Sequence, residues 1–201
     1  MKKILFALFI FTYALGFSQI DKLNSKEPLV KDPYFKKETN VALQPGQKVR
    51  FIHSDLFERK PDMYGGNPFF TGNVQFEHQG AMLTADRVIF YEKENFAKAI
   101  GNVLLVTSDG NRITSNEMEY DGNTQRGIAR GKVVLTDAKQ TISTDVLYYD
   151  RVKNTAYFNS GGTINDGRNT MWTQSATYFI DSKVHEFTNN YTIDNAQYRV
   201  E

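Results

Sequence analysis

A segment of about 30 residues recurs along this chain, and a chain built that way stacks like units rather than closing one irregular core. Gly72-Asn73-Val74, Gly101-Asn102-Val103 and Gly131-Lys132-Val133 open three similar segments at spacings of 29 and 30 residues, and Gly161-Gly162-Thr163 follows at 30 more. A second signature keeps step with the first. Leu83-Thr84-Ala85-Asp86 returns as Ile113-Thr114-Ser115-Asn116 and as Ile142-Ser143-Thr144-Asp145. Ile52-His53-Ser54-Asp55 is an earlier copy and Trp172-Thr173-Gln174-Ser175 a worn one. From Asp86 onward an aromatic follows each polar position four residues later: Phe90, Tyr120, Tyr149 and Phe179.

Each unit reads as strands. Val74 and Phe76 alternate with polar neighbours, as do Val133 and Leu135, the period-2 pattern of a half-buried strand. Turn chemistry falls between the runs, at His78-Gln79-Gly80, Ser108-Asp109-Gly110-Asn111 and Asp121-Gly122-Asn123. Proline removes a ladder donor. Pro28, Pro33, Pro45, Pro61 and Pro68 all precede residue 70, and none follows, as a continuous sheet requires. No window keeps a helical period, so the expected fold is all-β.

Within each unit the parity slips. Leu83 and Ala85 share one face, Val88 and Phe90 share one face, yet the two pairs are out of phase; Ile113/Ser115 against Met118/Tyr120 and Ile142/Thr144 against Leu147/Tyr149 slip at the same place. A strand keeps both halves on one face only with a bulge or bend, expected near Asp86-Arg87 and its copies. A small polar side chain there can bond the freed backbone groups. Regular bends curl a flat sheet into a sandwich or half-open barrel.

The same repetition decides among candidate catalytic groups. Asp55, Asp86, Asn116, Asp145 and Ser175 occupy one repeated position, which marks framework. Ser54, Ser115 and Ser143 lie in threonine-rich strand sequence without a Gly-x-Ser-x-Gly elbow. His53, His78 and His185 have no second ligand at a local metal-binding spacing, so no metal is expected. Asp137, Asp145 and Asp150 form a glycosidase-like pair only if strands bring two of them together. Tyr148-Tyr149 and Trp172 offer sugar-stacking rings, but Tyr149 and Trp172 sit at the repeated inner register and are expected inside.

That inner register is the candidate site. It comprises Val74, Phe76, Leu83, Val88, Phe90, Val103, Leu105, Ile113, Met118, Tyr120, Val133, Leu135, Ile142, Leu147, Tyr149, Phe158 and Trp172. These residues either pack on one another in a closed core or line an apolar trough. Burial stabilises an acyl chain by about 0.8 kcal/mol per methylene, enough for even a partial trough to hold a lipid.

The N-terminus sets the compartment. Lys2 and Lys3 precede an apolar run from Ile4 to Phe17, with small residues at Gly16 and Ser18: a secretory signal over 1–18, with an uncleaved anchor as the alternative. A polar lead-in follows over 19–47, then the repeat domain over 48–201. The chain has no cysteine, so disulfide stapling and acylation on sulfur are excluded. Cleavage takes 24 basic residues to 22 against 23 acidic ones, and that balance gives no footprint for nucleic acid.

The combination of Gly-Asn-Val, Leu-Thr-Ala-Asp and Phe-Tyr with Ala99-Ile100-Gly101-Asn102-Val103, Tyr120-Asp121, Tyr149-Asp150, Ala156-Tyr157-Phe158 and Ser160-Gly161-Gly162-Thr163-Ile164 resembles the OstA-like family, which includes the periplasmic lipopolysaccharide-transport protein LptA and the N-terminal domain of LptD. The resemblance covers roughly residues 48–201. It implies a long, twisted, slightly open antiparallel β-jellyroll with a hydrophobic groove, no enzymatic activity and no cofactor. It also implies a periplasmic protein that binds the acyl chains of lipopolysaccharide, or lipid A, and joins end to end into a bridge to the outer membrane. The inner-register residues would then be lipid contacts, on parity alone.

Counting 30 beyond Ser175 places the next bend past Glu201, so the last unit is unfinished. An unpaired terminal strand carrying Tyr198 and Val200 is a place for strand addition by another Lpt-type component or a second copy, head to tail. The alternative is that the chain is the N-terminal piece of a longer protein. Three function classes follow: a lipid-binding transport bridge, a dry structural scaffold of the envelope, and a secreted carbohydrate-binding β protein using Tyr148, Tyr157 and nearby acids.

Overall fold

The computed structural model describes residues 34–35, 48–188, 191–195 and 199–200. The expected signal segment, most of the lead-in and Tyr198 lie outside the described residues. Fifteen strands form one hydrogen-bonded antiparallel sheet, and every observed pairing is antiparallel. Six long strands make its centre, each paired with the next in sequence: β3 (Phe69–His78), β4 (Ala81–Tyr91), β5 (Phe96–Val106), β6 (Arg112–Asp121), β7 (Arg126–Thr136) and β8 (Thr141–Asp150).

Each long strand breaks register at mid-length. Gly72-Asn73 oppose the single residue Asp86, Gly101-Asn102 oppose Asn116, and Gly131-Lys132 oppose Asp145. The expected bend is present, but the extra residue belongs to the Gly-Xaa strand and the acid or amide is its single partner. Both residues of each Gly-Xaa pair adopt positive φ, +78° and +44° at Gly101-Asn102 for example, a region that glycine and asparagine enter most readily. Hydroxyls just before the bend satisfy the backbone it frees. Ser54, Ser115 and Thr173 each donate to the carbonyl two residues on, at 3.1, 2.9 and 3.1 Å.

Towards both ends of the sheet the bend opens into a gap between two short strands. β1 (Arg50–His53) and β2 (Leu56–Glu58) pair with opposite halves of β3. β9 (Thr155–Phe158) and β10 (Gly162–Asn165) pair with opposite halves of β8. Beyond them lie β11 (Asn169–Thr173) and β12 (Ala176–Phe179), then β13 (Val184–Phe187), β14 (Tyr191–Asn195) and β15 (Arg199–Val200). The corners form a spine that divides the sheet into two facing layers. Layer A holds β1, β10, β11, β14, β15 and the halves of the long strands paired with them; layer B holds β2, β9, β12, β13 and the other halves.

The apolar sides of both layers merge into one cluster running from Val74 and Phe76 to Ile164, Tyr178 and Ile180. Two smaller clusters cover the outer face of layer B: Phe35 with Phe96 and Ile128, and Tyr64 with Phe69 and Ile89. Tyr34 and Phe35, within the stretch read as a polar lead-in, therefore pack on the sheet. The Phe35 and Phe96 rings meet edge-on at 5.4 Å.

Candidate lipid-binding interior

Of the inner-register residues, Val74, Phe76, Leu83, Val88, Val103, Leu105, Ile113, Met118, Tyr120, Val133, Leu135, Ile142, Leu147, Tyr149 and Phe158 are buried in the one central cluster, and Phe90 packs against it half-buried. Trp172 does not. It is 45% exposed on the outside of layer A, while its neighbours Met171 and Thr173 face inward. The worn copy is displaced by one residue. Thr173 and Thr144 both pair with Gly162, so Gln174, not Ser175, holds the corner position of Asp145. The same shift makes Tyr178 the interior aromatic and leaves Phe179 outside.

The two layers line the interior differently. In layer A large residues neighbour one another across strands: Phe76, Leu83, Leu105, Ile113, Leu135, Ile142 and Ile164 follow in register. In layer B large and small alternate. Ala99 and Ala129 flank Met118, Ala97 and Gly127 flank Tyr120, and Gly127 and Ala156 flank Tyr149. The inner-register set holds the large members and lacks these small ones, although Ala97 and Ala99 share the same inner parity.

Opposite the spine, the turns of the two layers face each other across a mouth. No backbone–backbone hydrogen bond among the described residues joins these two rows of turns. Side chains close the mouth instead. His78 Nδ1 and Tyr120 Oη lie 2.8 Å apart, and Arg151 donates to the carbonyls of His78, at 2.8 Å, and of Gln79. Further along, the Asp137 carboxylate accepts from the Tyr178 hydroxyl and from Lys183 Nζ at 3.0 Å, and His185 Nε2 meets Gln140 Oε1 at 2.8 Å. Tyr178, His185, Phe187 and Tyr191 stack in sequence, with ring centroids 4.5, 6.0 and 5.1 Å apart.

These groups titrate as buried ones do. Burial pushes Tyr120 up to about 12 and raises Tyr149 and Tyr178, so all three hydroxyls keep their protons at neutral pH. Burial also raises the Asp137 carboxyl, but bonds from Tyr178, the Lys139 and Gln140 backbone and Lys183 outweigh it and hold it below the ordinary carboxylate value. Desolvation lowers His185, partly offset by the nearby Asp137 charge.

The other candidates are engaged locally. Asp150 pairs with Arg126 at 2.9 Å, His53 approaches Asp55 at 3.5 Å, and Tyr148 packs against Tyr34 at 5.1 Å. Among the described residues, no three histidine, aspartate or glutamate side chains group as a metal site would. Val200 lies in β15, paired with Ile193 at the last position of layer A.

A bent antiparallel sheet, repeated corner by corner around an apolar interior, is the class of protein defined here. A model of the OstA-like protein family matches residues 46–201, and the chain belongs to that family. Among solved structures it is similar to LptH of Pseudomonas aeruginosa, described as the LptA-homologous periplasmic component of a lipopolysaccharide transport device. The identity is 12%, the TM-score 0.32, and the match covers 78% of this chain and 99% of that one. A search of curated proteins returns no match.

Proposed function

We propose that this chain is an exported, periplasmic carrier of lipid acyl chains, non-enzymatic, that takes the acyl chains of lipopolysaccharide between its layers as one link of a bridge to the outer membrane. One observation carries the reading: among the described residues, every hydrogen bond that seals the interior on the mouth side involves a side chain. Parting the layers there breaks at least seven hydrogen bonds, Val49 N–H to Asn95 Oδ1 included, each of modest net worth (about 1 kcal/mol), and leaves every strand pair intact. Family membership supports the same reading, and the alanine and glycine rows of layer B mark where an acyl chain would lie once the layers part.

The ends of the sheet suit a link in a chain. Phe51, Leu56 and Phe57 are exposed on β1 and β2, as is Val184 on β13, so both ends offer apolar side chains beside strand edges that have no further partner among the described residues. Docking there joins this protein to a second copy or to other Lpt-type components. A dry scaffold is the second reading, favoured by the closed packing of Val74, Ile113 and Leu147.

Native mass spectrometry of the exported chain with lipid A separates the two. Saturable binding, lost in a folded Phe76→Glu, Phe90→Glu or Tyr149→Glu variant, is the expected result. A folded parent that binds no lipid A leaves the scaffold.

A further inference from the structure

The repeat supplies its own internal control, and one corner departs from it. At three corners the acid or amide of one strand fills the space over the glycine of the next. A Cβ on Gly72, Gly101 or Gly131 would lie 2.2, 2.4 or 2.6 Å from Asp55, Asp86 or Asn116. Asn73 and Asn102 then donate to Asp55 and Asp86 at 3.0 and 2.9 Å. At the fourth corner this packing is absent. The nearest group to a Cβ on Gly161 would be the Trp172 indole, at 3.8 Å, and not Asp145.

That change releases polar groups. Asp145 is exposed, and among the described residues its carboxylate has neither a hydrogen bond nor an ion pair. Lys132 stands where the first two copies carry asparagine. It holds φ at +50°, a region costly for a long side chain, and its ammonium likewise has no partner among the described residues. Both residues, with Ser143, Gly161, Gln174 and Trp172, line a cleft on the outer surface of the spine. Trp172 is the only tryptophan of the chain, and large rings of this kind are usually well covered.

We infer that this cleft is a binding site for a neutral, pyranose-containing glycan. A pyranose ring presents one face of C–H groups, which suits the electron-rich face of an indole, and a rim of hydroxyls that need both donors and acceptors. Trp172 supplies the platform. Asp145 accepts, Lys132 donates, and Ser143 does either. Gln174 keeps its carbonyl oxygen for the ligand because its Nε2 is bonded to the Asn159 carbonyl at 3.1 Å. One positive and one negative charge cancel, which favours a neutral sugar over a phosphate or a cation. The cleft lies behind the spine, away from the mouth, so the glycan is a ligand distinct from an acyl chain held between the layers.

The single tryptophan makes the test direct. Trp172 emission of the exported chain is titrated with chitotetraose, cellotetraose and maltotetraose at millimolar concentrations. A saturable change with at least one sugar is expected, weakened at least roughly tenfold in Asp145→Ala and in Lys132→Ala variants of unchanged circular dichroism. Saturation-transfer NMR should show the same sugar released by Trp172→Ala. No saturable change with any of the three overturns the site, as does binding that both Asp145→Ala and Trp172→Ala leave intact. An emission change that follows protein concentration alone, without sugar, also overturns it and makes Trp172 a contact between copies.

Discussion

His78 and Tyr120 come from opposite layers and meet at 2.8 Å, with both side chains buried. Burial holds the tyrosine protonated, and its hydroxyl shares one hydrogen bond with the imidazole Nδ1. Tyr120→Phe removes the hydroxyl while keeping the ring. The expected cost is about 1 kcal/mol in urea denaturation, with faster amide exchange at residues 78–80. Unchanged exchange there would mean that this pair does not hold the mouth.

Substitution of interior and exterior aromatics should separate by a wide margin. Phe76→Ala, at a fully buried position, is expected to cost about 3–5 kcal/mol. Trp172→Ala should fall within about 0.5 kcal/mol of the parent. Comparable losses at the two sites would contradict the outward placement of Trp172.

Corner packing predicts coupling between neighbours. Gly101→Ala places a methyl 2.4 Å from Asp86 Oδ2 at a backbone φ of +78°. A loss of about 2 kcal/mol is expected. Part of it should disappear in an Asp86→Ala background, because the clash goes while the backbone strain remains. Denaturation midpoints of the four proteins in this cycle measure the coupling. Strict additivity would show that Asp86 does not fill that space.

Acid should weaken the far end of the mouth in two stages. His185 is lowered from its ordinary 6.5 by desolvation, so on acidification the unfolded chain binds a proton first, and stability falls from about pH 6.5 downwards. Asp137 is held below its ordinary value, so its contribution is complete above that value and is lost as pH falls through the depressed one. His185→Phe should flatten the first stage and Asp137→Asn the second, read from thermal midpoints between pH 7 and 3. A parent with a flat profile over both ranges would contradict both assignments.

Phe35→Ala tests the lead-in. Phe35 is buried against Phe96 and Ile128 outside layer B, so a loss of about 3 kcal/mol in denaturant midpoint is expected. No loss would show that this contact is not formed in solution.

Much of this architecture is legible in sequence because the repeat multiplies weak signals. A single Asp86 or Ser115 looks like a candidate catalyst; copies in step identify both as corner pieces. Where the copies wear thin, residue type no longer tracks register. Trp172-Thr173-Gln174-Ser175 aligns by residue type one place away from its true register, and in a strand that error turns a residue from inside to outside. Parity also finds buried positions without saying what they enclose, so the large-and-small alternation of layer B emerged only with cross-strand register. The cross-mouth bonds of His78, Asp137 and His185 link residues 41 to 73 positions apart and carry no local pattern.

From β4 to β7, each strand pairs only with its neighbours in sequence. A two-strand unit of about 30 residues can therefore be added to or removed from this tract without rethreading any other. Each such step changes the molecule's span by about 10 Å, two strand spacings. Reach is thus a nearly free variable in a protein of this design, adjustable by duplication or loss while corner chemistry and cross-section stay constant.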